Sequence, residues 1–146
     1  MKRHFSVLAL VAVTVVPATA LAASRQKHAH ELSTTLTGAV LGNTGPVFTS
    51  AAVAKDAAIG RGAAIVTVTT PSTIEGTLFY PGGSITTKGT ITFGTPDANG
   101  TTSTTGSGKI TAGTGKYHGV TGSITFTGSQ DANAHYKVIV TGRMKY

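Results

Sequence analysis

The segment Gly106–Gly128, GSGKITAGTGKYHGVTGSITFTG, decides the fold. In its second half Val120, Gly122, Ile124 and Phe126 alternate with Thr121, Ser123, Thr125 and Thr127. A period of two is that of a pleated strand, with one set facing a core and the hydroxyls facing water, and it excludes a helix. Gly113-Thr114-Gly115 and Gly119 supply the conformational freedom of a sharp reversal, so the segment reads as strand, glycine turn, strand. His118 and Tyr117 fall at the tip, where side chains are ordinarily solvated.

The same pattern recurs on both sides. Leu32, Thr34, Leu36, Gly38 and Val40 share one parity of a first strand, which Gly42–Pro46 breaks. The alanine-rich Val47–Ala54 suits a second strand or a short helix. Lys55–Gly62 reads as a turn leading into Ala63–Thr70, where Ile65, Val66 and Val68 favour a strand through β-branching. Thr73–Tyr80 follows, then Pro81-Gly82-Gly83 as a turn, then Ser84–Phe93, with Ile85, Thr87, Gly89, Ile91 and Phe93 on one face. Gly94–Gly106 is a turn or loop around Asn99-Gly100, a favoured type I′ pair; Asn99-Gly100-Thr101 also matches the N-glycosylation acceptor pattern. After a turn at Gly128–Asn133, a terminal strand spans His135–Tyr146 and puts Tyr136, Val138, Val140, Gly142 and Met144 on one face. Seven or eight short strands and no long amphipathic segment make an all-β domain. Glycines on the apolar parity at Gly89, Gly122 and Gly142 favour a closed barrel over a sandwich, because they permit the bends that close a sheet or leave room inside it.

The beginning of the chain has a different character. Met1-Lys2-Arg3-His4, an apolar run from Phe5 to Val16, and Pro17–Ala22 ending in Ala20-Leu21-Ala22 follow the order of a secretory signal peptide cut after Ala22. The apolar run is shorter than the roughly 20 residues that cross a bilayer. The expected organisation is signal peptide 1–22, flexible leader 23–31 and a barrel domain 32–146, with a secreted, extracellular or periplasmic location and no membrane span in the mature chain. His28-Ala29-His30-Glu31 lacks the four converging ligands of a structural metal site, so no metal and no cofactor is expected. The chain carries a net charge of +7 and no cysteine. The absence of cysteine excludes disulfides, thiolate metal sites and a cysteine nucleophile. The positive charges are scattered, without an aromatic-interleaved basic track, and nucleic acid is not expected as a partner.

The residues Ile110-Thr111-Ala112-Gly113-Thr114-Gly115-Lys116-Tyr117-His118-Gly119-Val120-Thr121-Gly122 resemble the Ile-x-Gly-Gly-Thr-Gly-x-Tyr-x-Gly-x-x-Gly hairpin of the allene oxide cyclase and dirigent barrel superfamily. Glu75–Leu78 and Gly82–Thr90 are similar to its paired central strands. Ala112 stands where the first glycine of the pair is usual. The resemblance implies an eight-stranded antiparallel barrel of calycin shape, often trimeric, with an apolar cavity open at one end. Members cyclise a fatty-acid epoxide without a cofactor, or steer phenoxy-radical coupling without catalysing the oxidation. The cyclases use a pocket glutamate, an asparagine-held water and a cysteine; this chain has no cysteine, and no catalytic position carries across.

Three functions follow as expectations. A small apolar or aromatic ligand held in the barrel interior comes first, with Tyr80, Tyr136, Phe93 and Phe126 as candidate wall residues. A structural or surface-adhesive role for the Thr-rich exterior is the second. A cofactor-free cyclase or isomerase is the third, with Glu75 as the one candidate acid or base, although its parity, opposite Gly76 and Leu78, points it outward. Ile139, apolar on the outer parity of the last strand, would suit a homotrimer interface.

Overall fold

A computed structural model describes residues 28–69 and 71–146, so the expected signal peptide and residues 23–27 of the leader lie outside the described residues. The described residues form eight strands: β1 (Ala29–Thr44), β2 (Val47–Asp56), β3 (Gly60–Thr69), β4 (Thr73–Tyr80), β5 (Gly83–Phe93), β6 (Thr102–Gly113), β7 (Thr121–Gln130) and β8 (His135–Lys145). Each pairs antiparallel with the next, and β8 pairs back onto β1, closing a barrel in simple up-and-down order. Closure leaves no strand edge unpaired, which lets a domain without disulfides present its backbone safely to water.

The alternation seen in the sequence is the alternation of the wall. Leu32, Thr34 and Leu36 on β1, Ala52 and Ala54 on β2, Ile85 and Ile91 on β5, Ile124 and Phe126 on β7 and Val140 and Met144 on β8 are buried, while their chain neighbours are largely exposed threonines and serines. Val47–Ala54 is a strand rather than a helix, held on one side by β1 and on the other by β3. β1 begins earlier than the sequence suggests: Ala29, His30 and Glu31, assigned to the leader, pair with Lys145, Met144 and Arg143. His30 stacks on Tyr146 at 4.7 Å between ring centroids, and Glu31 meets Arg143 at 3.8 Å, so partners on β8 supply the order that the local sequence lacks.

The Asn99-Gly100 pair does not make a type I′ turn. Only Gly100 has positive φ, +76°, and the loop is gathered instead by Asp97, whose Oδ1 accepts the backbone N–H groups of Asn99 and Thr101. The inward glycines share one role: a Cβ on Gly89 would collide with the Ser107 carbonyl of the neighbouring strand, one on Gly142 with that of Ser123 and one on Gly122 with that of Arg143. All three allow close strand approach, and Gly89 also borders the lumen.

The two ends of the barrel differ. The β2–β3, β4–β5 and β6–β7 connections, the start of β1 and the finish of β8 lie at one end, where the inward side chains Leu32, Ile85, Tyr117 and Met144 are 2% exposed or less. This end is the floor. At the other end, inward residues such as Phe48, Val68, Ile74, Tyr136 and Val138 keep part of their surface accessible.

Candidate functional site

The floor is made by the β6–β7 hairpin folding back over the barrel end. Gly115 and Gly119 take positive φ (+57° and +73°), and Gly115–Tyr117 forms a single 3₁₀ turn. The turn is fastened to the β4–β5 connection: Lys116 N–H donates to the Gly82 carbonyl at 2.9 Å and Thr114 N–H to that of Ser84 at 2.9 Å. Tyr117, expected at a solvated tip, is therefore completely buried, with its ring edge-on to Tyr80 and Tyr146. His118, its neighbour, stays exposed.

Beneath the lumen lies a polar knot that the sequence reading missed. Asp56, assigned to a turn, is the last residue of β2 and is 4% exposed. Its Oδ2 accepts from Ser33 N–H at 2.9 Å and from the Thr34 hydroxyl at 2.7 Å, and its Oδ1 accepts from the N–H groups of Ala58 and Ile59 at 2.8 and 2.9 Å. Since Thr34 gives its proton to Asp56, the 2.8 Å contact between Thr34 and Tyr80 has Tyr80 as donor. Burial pushes the Tyr80 phenol up to about 12, against the lowering effect of its bond to Thr34, with the Asp56 charge adding to the rise. Tyr80, expected on the ligand wall, is instead part of the floor. Continuing the β2 alternation through Ser50, Ala52 and Ala54 would have turned Asp56 inward.

Above the floor is an apolar cavity of about 380 Å³. Leu36, Leu78, Ile124, Phe126 and Val140 wall its depth, and Phe48, Val68, Phe93 and Val138 its mouth; Gly76, Gly89 and Gly108 make room where strands pass without side chains. Of the candidate wall residues, Phe126, Tyr136 and Phe93 border the cavity, Phe93 from the rim with 43% of its surface exposed. Glu75 points outward and pairs with Lys88 at 3.0 Å, both half-exposed. No aspartate or glutamate borders the cavity among the described residues, and the same residues hold no cluster of three or more His, Cys, Asp or Glu.

Besides Lys88, Ser107 and half-buried Gln130, which also border the cavity, three polar stations interrupt the apolar wall. The first runs across β8, β2 and β3. Tyr136 lies opposite Gly38 on β1 and reaches over to β2, where its hydroxyl donates to Ser50 Oγ at 3.2 Å. Ser50 in turn donates to the Val66 carbonyl at 3.2 Å. Burial raises the Tyr136 phenol above its ordinary value, partly offset by Ser50, so it is neutral at physiological pH. The second is Thr87, which donates to the Gly76 carbonyl at 3.3 Å. The third is Thr104, 5% exposed, whose hydroxyl is buried without a partner among the described residues. Ser50 and Thr104 are legible in hindsight, since each shares the parity of the apolar residues on its strand.

The outer face holds a separate feature. Val53, Ile65 and Phe79, each 45–55% exposed, lie close together on β2, β3 and β4 through the Val53↔Ala63↔Phe79 and Ala51↔Ile65 registers. Ile139 is 48% exposed but sits between Thr35 and Thr127 on the neighbouring strands.

Fold and site together define a closed up-and-down barrel with a sealed floor and an apolar cup at the other end. No protein-family model, curated protein or solved structure matches the chain.

Proposed function

We propose that the protein is a binding module that takes a small, uncharged, apolar or aromatic molecule into the cup above the floor. The observation that carries this reading is the cavity itself. Its volume of about 380 Å³ lies in the roughly 300–1,000 Å³ range of small-molecule sites, and it combines apolar walls with a few placed polar groups. The likeness of Ile110–Gly122 to the allene oxide cyclase and dirigent hairpin favours the same kind of interior. The residue order at 1–22 supports an exported location.

A cofactor-free cyclase asks for a carboxylate facing the lumen. Asp56 is the one inward acid among the described residues, and both its oxygens are engaged by four donors in the floor. The binding reading therefore stands ahead of the catalytic one.

The test is titration with an uncharged fluorescent probe such as N-phenyl-1-naphthylamine. Saturable uptake with a blue-shifted emission is expected, and Val138→Trp, which fills the mouth, should abolish it while leaving the thermal transition cooperative. Absence of saturable uptake by the native protein would sink the reading. A second expected outcome concerns Thr104→Val, which removes the orphaned hydroxyl at nearly constant shape. It should raise stability by about 1 kcal/mol in denaturant titration.

A further inference from the structure

The polar station of Tyr136 and Ser50 has a direction. Ser50 spends its proton on the Val66 carbonyl, and Tyr136 spends its own on Ser50 Oγ. Both protons of the relay are committed, and what half-buried Tyr136 can present to the lumen is lone pairs. Thr87 is committed in the same way to the Gly76 carbonyl. A guest that brings an O–H can donate to Tyr136 Oη and complete a chain of donors running from guest to Tyr136 to Ser50 to Val66. At Tyr136 a guest with only an acceptor meets lone pair against lone pair; half-buried Gln130 at the cavity wall both donates and accepts, and so favours neither kind of guest. An acceptor-only guest can take the Tyr136 proton only by leaving Ser50 Oγ without its donor, which exchanges one bond for another and gains nothing. Thr104 stands on β6, four strands from β2 and so across the lumen, and a free hydroxyl both gives and accepts. Its oxygen is itself buried, so it does not decide between the two kinds of guest.

We propose that the cup selects apolar molecules that carry their own proton donor, an alcohol or a phenol, over ethers, ketones and hydrocarbons of the same shape, with Tyr136 Oη as the acceptor. This rests on the binding function proposed above and adds the chemical class of the guest.

The test is calorimetric titration of the full chain near neutral pH with three matched probes: naphthalene, 2-methoxynaphthalene and 2-naphthol. The native protein is expected to bind 2-naphthol about fivefold more tightly than the methyl ether, the worth of one net hydrogen bond. Tyr136→Phe keeps the ring and should bring that ratio to about one. Ser50→Ala leaves Tyr136 in place but frees its proton to serve an acceptor, so the ether should gain and the ratio should again shrink. Binding of naphthalene and both derivatives with a ratio near one in the native protein overturns the selectivity alone. So does a ratio retained by Tyr136→Phe. Failure of all three probes to bind the native protein overturns the binding function, and the selectivity with it.

Discussion

Asp56 is the residue on which most of the floor depends, because its carboxylate gathers four donors from two different pieces of chain: Ser33 and Thr34 of β1, and the Ala58 and Ile59 amides of the next turn. Asp56→Ala leaves all four without this acceptor, the buried Thr34 hydroxyl most severely. It is expected to cost about 3 kcal/mol, measured as a lowered urea midpoint. Tyr80 makes the same knot visible through pH. Its folded value of about 12 lies above the unfolded value near 10. The folded state therefore holds the proton that the unfolded state releases in that window. The stabilising contribution is intact below pH about 10 and falls as pH rises toward about 12, by on the order of 2 kcal/mol. Tyr136 is raised in the same direction and adds to the decline. Tyr80→Phe should flatten this alkaline limb in denaturation curves taken across pH 9 to 12; an unchanged limb would show that Tyr80 does not titrate where its burial places it. Asp56 was hidden in the sequence because an aspartate beside a Lys-Asp-Ala-Ala-Ile-Gly run has every local mark of a turn residue. Only the donors converging from β1 make it a buried one.

Among the elements, the β6–β7 hairpin shows where a local reading succeeds and where it stops. Its arms were legible because alternation is a property of consecutive residues, and Thr121–Phe126 alternates in the structure as it does in the sequence. Its tip was not legible, because whether a tip is wet depends on what it folds against. Lys116 and Thr114 bind the β4–β5 connection, the tip turns inward, and Tyr117 becomes the plug of the barrel. Its hydroxyl has no partner among the described residues. Tyr117→Phe is therefore expected to leave stability unchanged or raise it by about 1 kcal/mol. Tyr117→Ala, which unplugs the floor and leaves a cavity, should lower it by about 3–5 kcal/mol. A Phe variant as damaging as the Ala variant would mean that the hydroxyl is satisfied in solution, by water for instance.

At the scale of the whole molecule, the barrel is two halves of different character on one continuous sheet. The floor half is packed, with Leu32, Ile85, Tyr117 and Met144 almost fully enclosed, while the cup half keeps inward apolar surface open to a guest. Opening free energy follows packing. Amide hydrogen exchange should therefore be slowest along the floor segments of β1, β5 and β8 and fastest in the 94–101 and 131–134 connections around the mouth. Addition of a bound probe should slow exchange at the mouth and leave the floor unchanged. Uniform protection from floor to mouth in the free protein would contradict this division.

The sequence by itself determined that the chain is all-β, where nearly every strand runs, and which parity of each strand faces inward, since all three depend on residue type and spacing along the chain. It also placed Phe126, Phe93 and Tyr136 on the right side of their strands. Tertiary structure decided the rest: that β8 meets β1, that three residues of the expected leader belong to that seam, that Tyr80 and Tyr117 seal one end while Tyr136 faces the space at the other, and that Asp56 is buried. Depth inside a barrel is set by register between strands and by which connection folds over which end. Both are relations between distant segments, and neither leaves a mark in local periodicity.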